Sequence, residues 1–164
     1  MSMFIRKAIL QDLPCLLQIY QAARSFMAQN GNPKQWGETW PSAELIKQNI
    51  LEGTAYVCQD NKNIVGTFFF RFGKNIEPCY NNIKDGTWLN DSPYGVIHRL
   101  ASAENKKGIA TFCLSWCFKQ CGHLRADTHP DNLPMRRLLL KCGFKYCGLI
   151  NIEHDDMPRL AFEK

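Results

Sequence analysis

His98-Arg99-Leu100-Ala101-Ser102-Ala103-Glu104-Asn105-Lys106-Lys107-Gly108-Ile109-Ala110-Thr111 is the stretch on which the fold turns. Upstream of its polar centre, Tyr94 to Ala101 reads as an apolar strand. Downstream, Ile109, Phe112, Cys113, Trp116 and Cys117 recur at helical spacing. Between them Asn105, Lys106, Lys107 and Gly108 form a short turn. The first amides of a helix have no internal partner, and the helix dipole adds partial positive charge there. Such an end is suited to a phosphate. Lys106 and Lys107 add two full charges, while Gly108 and the small Ala110 leave room for a ligand against the backbone. In isolation the same residues read as an ordinary loop with a solvated lysine pair, so the context has to decide. The turn lacks the Gly-x4-Gly-Lys-Ser/Thr spacing of a nucleotide triphosphatase and the three spaced glycines of a dinucleotide site.

Composition narrows the class. With 45% hydrophobic and 21% charged residues, the 164-residue chain is globular rather than disordered and long enough for one domain, residues 1–164. The net charge of +5 suits a small anion as well as a nucleic acid. The basic residues are scattered apart from Lys106–Lys107 and Arg136–Arg137, so no specific nucleic-acid surface is expected. No apolar run reaches the length of a membrane span, and Met1 to Lys7 lacks a signal-peptide core, so a cytoplasmic protein with no membrane partner is expected. Cys113, Cys117 and Cys121 recur every four residues and His123 follows. Eight residues of helix span about 12 Å, too far for three thiolates to reach one ion at about 2.3 Å. No metal is expected, and the thiols read as small buried side chains.

Before the central stretch, Met3 to Ala8 reads as a strand. A helix follows from Asp12-Leu13-Pro14, with Leu13, Leu16, Leu17, Tyr20 and Met27 on one face, and ends at Asn30-Gly31-Asn32-Pro33. Trp36 and Trp40 lie in the next loop, Ser42 caps a second helix, and Thr54 to Phe72 reads as a hairpin turning at Asp60–Asn63. Gly73 to Pro93 is irregular and polar, with a short strand expected within Ile83–Leu89 carrying Trp88. After the central helix come a strand (His123–Thr128), a helix with Met135, Leu138, Leu139 and Cys142 on one face, and two strands, Lys145–Ile152 and Met157–Phe162.

Two segments carry a resemblance. Asn105–Ala110 resembles the Gln/Arg-x-x-Gly-x-Gly/Ala loop of the GNAT superfamily of acyl-CoA N-acyltransferases, with Asn105 in place of the usual Gln or Arg and Gly108 and Ala110 matching. Asn132 to Phe144 resembles the later family segment, an Asn at a helix start and a Gly-Phe at its end. The order of strands and helices matches the family over nearly the whole chain. The resemblance implies an α/β (α+β) fold, a single domain with a central mixed, mostly antiparallel twisted sheet flanked by about four helices.

It also implies a function: transfer of the acetyl group of acetyl-CoA to a primary amine of a small molecule or protein, by direct attack in a ternary complex. Leu100, Ala101, Ser102, Asn105, Lys106, Lys107, Gly108, Ile109, Ala110, Thr111, Asn132 and Met135 are the cofactor-binding residues it implies, with an oxyanion donor among the amides near Leu100 and Ala101. A homodimer is compatible with it. An amine with a pKa of about 10.4 must lose a proton before it attacks. His98 is the candidate base, with Asp127 and His129 as rivals; as a core histidine its nitrogens would instead be satisfied. The family position for a tyrosine acid holds Leu139, which cannot donate, and Tyr146 nearby is the remaining candidate acid. Trp36 and Trp88 are candidate acceptor contacts, or else cover for the core. A non-catalytic acyl-CoA sensor of the same fold is the alternative.

Overall fold

The computed structural model describes residues 3–103 and 106–164. Seven strands form one sheet: β1 (Met3–Lys7), β2 (Ala55–Asp60), β3 (Asn63–Gly73), β4 (Tyr94–Ser102), β5 (Leu124–Thr128), β6 (Lys145–Ile152) and β7 (Asp155–Glu163). Their order is β1-β2-β3-β4-β5-β7-β6. All neighbours are antiparallel except β4 and β5. Among the described residues four α-helices accompany the sheet: α1 (Leu13–Gln29), α2 (Ala43–Leu51), α3 (Ile109–Cys121) and α4 (Leu133–Lys141).

Alternation along the strands divides the core between the two faces. Cys58, Phe68, Phe70, Ile97 and Leu124 pack with Cys113, Leu114 and Cys117 of α3 and Leu139 of α4. Val57 and Ala55 pack with Leu16, Ile19 and Tyr20 of α1 and Ile46 and Ile50 of α2. Leu114 and Leu124 are at most 2% exposed, and each such burial contributes about 1.5–3 kcal/mol. Gly66 sets the depth of α3. A Cβ there would stand 2.6 Å from the Ile109 side chain, so only glycine lets the first turn of α3 seat on β3.

The feature that shapes the site is a gap in the sheet. The parallel pairing of β4 with β5 is confined to Gly95–Leu124 and Val96–Arg125. Beyond it β4 carries a bulge against β3, where Arg99 and Leu100 oppose the single residue Phe68. A bulge bends its strand and adds twist, and here it leaves the β5-side edge of the second half of β4 without a strand partner.

The short strand expected within Ile83–Leu89 does not form. Pro78–Asn82 is a 3-10 helix instead, and the following segment makes one isolated bridge, Lys84 to Leu149. The segment is held by side chains: Trp88 Nε1 donates to the Tyr80 carbonyl at 2.7 Å, and the Arg125 guanidinium lies 4.1 Å from the Trp88 ring centre.

Candidate functional site

The open edge of β4 has a cavity at each end. The first, about 580 Å³, lies between β4, the start of α3, the C-terminal half of α1 and α4. Leu100, Ala101, Ser102, Lys106, Lys107 and Ala110 line it. Gly108 is the N-cap of α3 with φ of 81°, a left-handed conformation that a side chain resists. A Cβ on Gly108 would meet nothing within 4 Å, so its conformation, not its crowding, requires glycine. Among the described residues no side chain caps α3, which leaves its first-turn amides available to a ligand. Ile109, 3% exposed, anchors this turn in the core, and Thr111 is exposed. Asn105 lies outside the described residues.

The second cavity, about 810 Å³, opens on the other side. Its walls come from the α1–α2 loop, α2, β4, β5 and the β6–β7 end. Met27, Leu100, Asn132 and Met135 line both cavities, which therefore meet at Leu100. Asn132 caps α4, accepting from the Met135 amide at 3.1 Å and donating to Gln35 at 2.9 Å, so it ties α4 to the α1–α2 loop at the junction.

Titratable groups gather on one wall of the larger cavity. His98 Nε2 lies 2.7 Å from Glu77 Oε2, and His98 Nδ1 lies 3.8 Å from Asp127 Oδ2, too far for a hydrogen bond. Tyr80 Oη donates to Asp127 at 2.7 Å. Burial pushes the Glu77 carboxyl up, but the hydrogen bond and charge of His98, with help from Cys79 and Arg99, hold it below its ordinary value. It is a carboxylate at neutral pH. An ionised Glu77 accepts from Nε2–H, which fixes the His98 tautomer and leaves Nδ1 as an acceptor. Burial and the neighbouring Glu77 and Asp127 push the Cys79 thiol up to about 12. It stays protonated and is a poor nucleophile. Burial and Asp127 keep Tyr80 a neutral phenol.

Arg99 occupies the bulge with φ of 52°, a conformation costing about 1–2 kcal/mol for a residue with a Cβ. Three contacts hold it: Tyr20 Oη donates to its carbonyl at 3.1 Å, its Nη2 donates to Asn49 at 2.6 Å, and its guanidinium lies 5.0 Å from the Phe69 ring centre.

The remaining expected residues fall on either side of this boundary. Trp36, 9% exposed, lines the larger cavity and packs edge-on against Tyr20. Trp88 lines neither cavity; its ring is spent on Arg125 and Tyr80. Tyr146 also lines neither. It is half exposed on β6 and packs against Phe162, because β6 is the edge strand beyond β7. Leu139, 1% exposed, lines the larger cavity where a proton donor was expected to be missing. His129 is buried, and its Nδ1 accepts from the Asp131 amide, the bond of a turn residue. Glu77, Tyr80 and Arg159 were not singled out from the sequence. The first two stand in a segment without periodicity, and Arg159 reads as one polar residue on an alternating strand.

Comparison with known proteins agrees with this geometry. A family model described as an acetyltransferase (GNAT) domain matches residues 2–145. The chain belongs to that family and is an acyltransferase. No curated protein is significantly similar in sequence. A GNAT-family acetyltransferase from Streptococcus agalactiae is 28% identical, with 99% of this chain and 94% of that chain covered and a TM-score of 0.89. A GNAT-family acetyltransferase from Listeria monocytogenes shares the fold at 15% identity, with 99% and 94% covered and a TM-score of 0.71. So does NAA60 of Arabidopsis thaliana, solved with acetyl-CoA, at 14% identity, with 99% and 98% covered and a TM-score of 0.66. Among the described residues no helix is long and apolar enough to cross a membrane.

Proposed function

We propose that this chain is an acetyl-CoA-dependent N-acetyltransferase whose acceptor is a primary amine, attacking the thioester directly while both substrates are bound. The observation that carries this reading is the meeting of two cavities at Leu100, on a strand edge with no strand partner. The smaller cavity takes the cofactor, a reading supported by the Arabidopsis protein of the same fold, which was solved with acetyl-CoA. Lys106, Lys107 and the first amides of α3 face its phosphates, and the pantetheine arm runs along Leu100 to Ser102 as an added strand. Ala103 N donates to Val65 on β3. Strand alternation therefore turns the Ser102 amide toward the gap, on the side where the thioester oxygen becomes negative in the transition state.

The amine enters through the larger cavity. The 3.8 Å separation of His98 Nδ1 from Asp127 leaves one donor able to reach both acceptors. An ammonium group there gives a proton to His98 Nδ1, and Glu77 stabilises the imidazolium formed. Cys79 is a protonated thiol, so no acyl-enzyme is needed or expected. Leu139 offers no proton to the departing thiolate. A thiol of pKa about 8.5 leaves adequately without one.

The test is release of free thiol from acetyl-CoA with a panel of primary amines, beside calorimetric titration of acetyl-CoA into the parent and a Lys106→Glu/Lys107→Glu variant. Both lysines are exposed, so the variant should fold. We expect acetyl-CoA affinity to fall at least about tenfold in the variant, since charge-assisted bonds are worth about 1.5–3 kcal/mol each. Leu139 keeps a second reading in play: an acyl-CoA sensor, which would bind acetyl-CoA and release no thiol with any amine.

A further inference from the structure

We infer that the acceptor is a small zwitterion, an amino acid with an apolar side chain whose carboxylate is held by Arg99. The inference rests on the acyltransferase reading above and names the acceptor class for its larger cavity.

The buried charges lining that cavity are mostly paired, while Lys34 and His154, also on its wall, are exposed. Glu77 faces His98, Asp127 takes the Tyr80 hydroxyl, and Arg159 lies 2.9 Å from Asp155. Arg99 is different. Among the described residues no carboxylate stands within 4 Å of it, and its side chain reaches neutral partners, the Asn49 amide at 2.6 Å and the Tyr20 hydroxyl. Its Nε is buried without a hydrogen-bond partner. Burial lowers its affinity for the proton, and the nearby Tyr20 and Glu77 only partly restore it. A guanidinium stays charged regardless, so the cavity holds a largely desolvated cation with no carboxylate in contact among the described residues. The bulge, Asn49 and Phe69 aim it there at a cost in backbone strain.

An anion on the acceptor completes the pair. Arg99 directly follows His98 on β4, and both lie against Phe69, the guanidinium 5.0 Å and the imidazole 5.8 Å from its ring centre. Amine and anion therefore fit on one small molecule, as in an amino acid. A carboxylate also fits the planar fork of a guanidinium. Trp36, Trp40, Leu45, Met27 and Phe69 form an apolar part of the wall with space for a side chain. A peptide N-terminus presents a neutral carbonyl in place of the carboxylate and would leave Arg99 unpaired.

Leucine, methionine and phenylalanine should be compared with their amides, which keep the shape and remove the charge. Binding to the CoA-loaded protein is read by calorimetry, and transfer by thiol release with acetyl-CoA. The acid form should be preferred over its amide by at least about tenfold in both, as a hydrogen-bonded ion pair warrants. In Arg99→Gln the preference should vanish while acetyl-CoA binding persists, which also shows the variant folded. Amides bound or used as well as the acids would overturn the inference, and so would failure of every acid to bind. Acid-preferring binding with no thiol release would support the anion site and count instead against the transfer reading.

Discussion

Glu77 with His98 and Glu163 with His123 are the same chemical pair, placed on the same face of the sheet, in opposite circumstances. Glu163 is fully buried and every nearby group is committed to it or to its neighbours. It accepts from His123 Nε2, from Arg125 Nε at 2.9 Å and from the Leu89 amide. His123 Nδ1 lies 3.0 Å from Ser92 Oγ and 3.1 Å from the Pro93 carbonyl. Arg125 reaches the Asn90 carbonyl at 2.7 Å and lies 4.1 Å from the ring centres of both Trp88 and Tyr94. The cluster pins the irregular segment before β4 onto β5 and β7. In the other pair, His98 and Glu77 keep side-chain exposures of 22% and 26%, and His98 Nδ1 has no hydrogen bond among the described residues. Residue type does not separate a structural cluster from a chemical one here. A spare acceptor facing a cavity does.

The comparison breaks most visibly at the closed cluster. Glu163→Gln leaves Arg125 as a buried cation, and breaking such a pair costs about 3–5 kcal/mol. A fall in Tm of about 10 °C should follow by calorimetry, with activity per folded molecule retained. Should the variant melt like the parent, the cluster does not hold the fold.

His98→Gln should do the reverse. We expect a loss of at least about 100-fold in kcat/KM, the usual worth of a general base, with little change in Tm. A loss of less than tenfold would move the base elsewhere, to Asp127 first.

Acid should expose the closed cluster more gently. Burial raises the Glu163 carboxyl, but the Leu89 amide, His123 and Arg125 together hold it below the ordinary value of 4.5. A carboxyl depressed in the folded state adds stability above its unfolded value and loses it as pH falls through the folded one. Urea midpoints should therefore stay level from neutrality to about pH 5 and decline below it. In Glu163→Gln that decline should be shallower.

Tyr146→Phe should change neither kcat nor Tm measurably, because the hydroxyl is on an edge strand away from both cavities. A tenfold loss would restore it as the acid.

Legibility in the sequence followed locality. The turn from Lys106 to Ala110 and the α4 segment could be read because each depends on neighbours in sequence: a strand, a glycine, a helix start, a cap. Counting back from Gly143-Phe144 put Leu139 at the family's tyrosine position, and its side chain lines the larger cavity. Glu77, Tyr80 and Arg159 depend on which strands lie side by side and on a loop folding over them, and no periodic pattern encodes that. Trp88 and Tyr146 show the converse. A large aromatic in a loop or near a motif looks available, yet Trp88 is used up covering Arg125, and Tyr146 faces away on the sheet edge.

The central claim is that amine and acetyl-CoA occupy their two cavities together and that acetyl moves between them in one step. Initial-rate kinetics test it most directly, with acetyl-CoA and the best amine varied against each other and the protein mass recorded after exposure to acetyl-CoA alone. The account predicts intersecting double-reciprocal lines and an unmodified protein. Parallel lines with an acetylated protein, the mark of a covalent intermediate, would contradict it and point to Cys79.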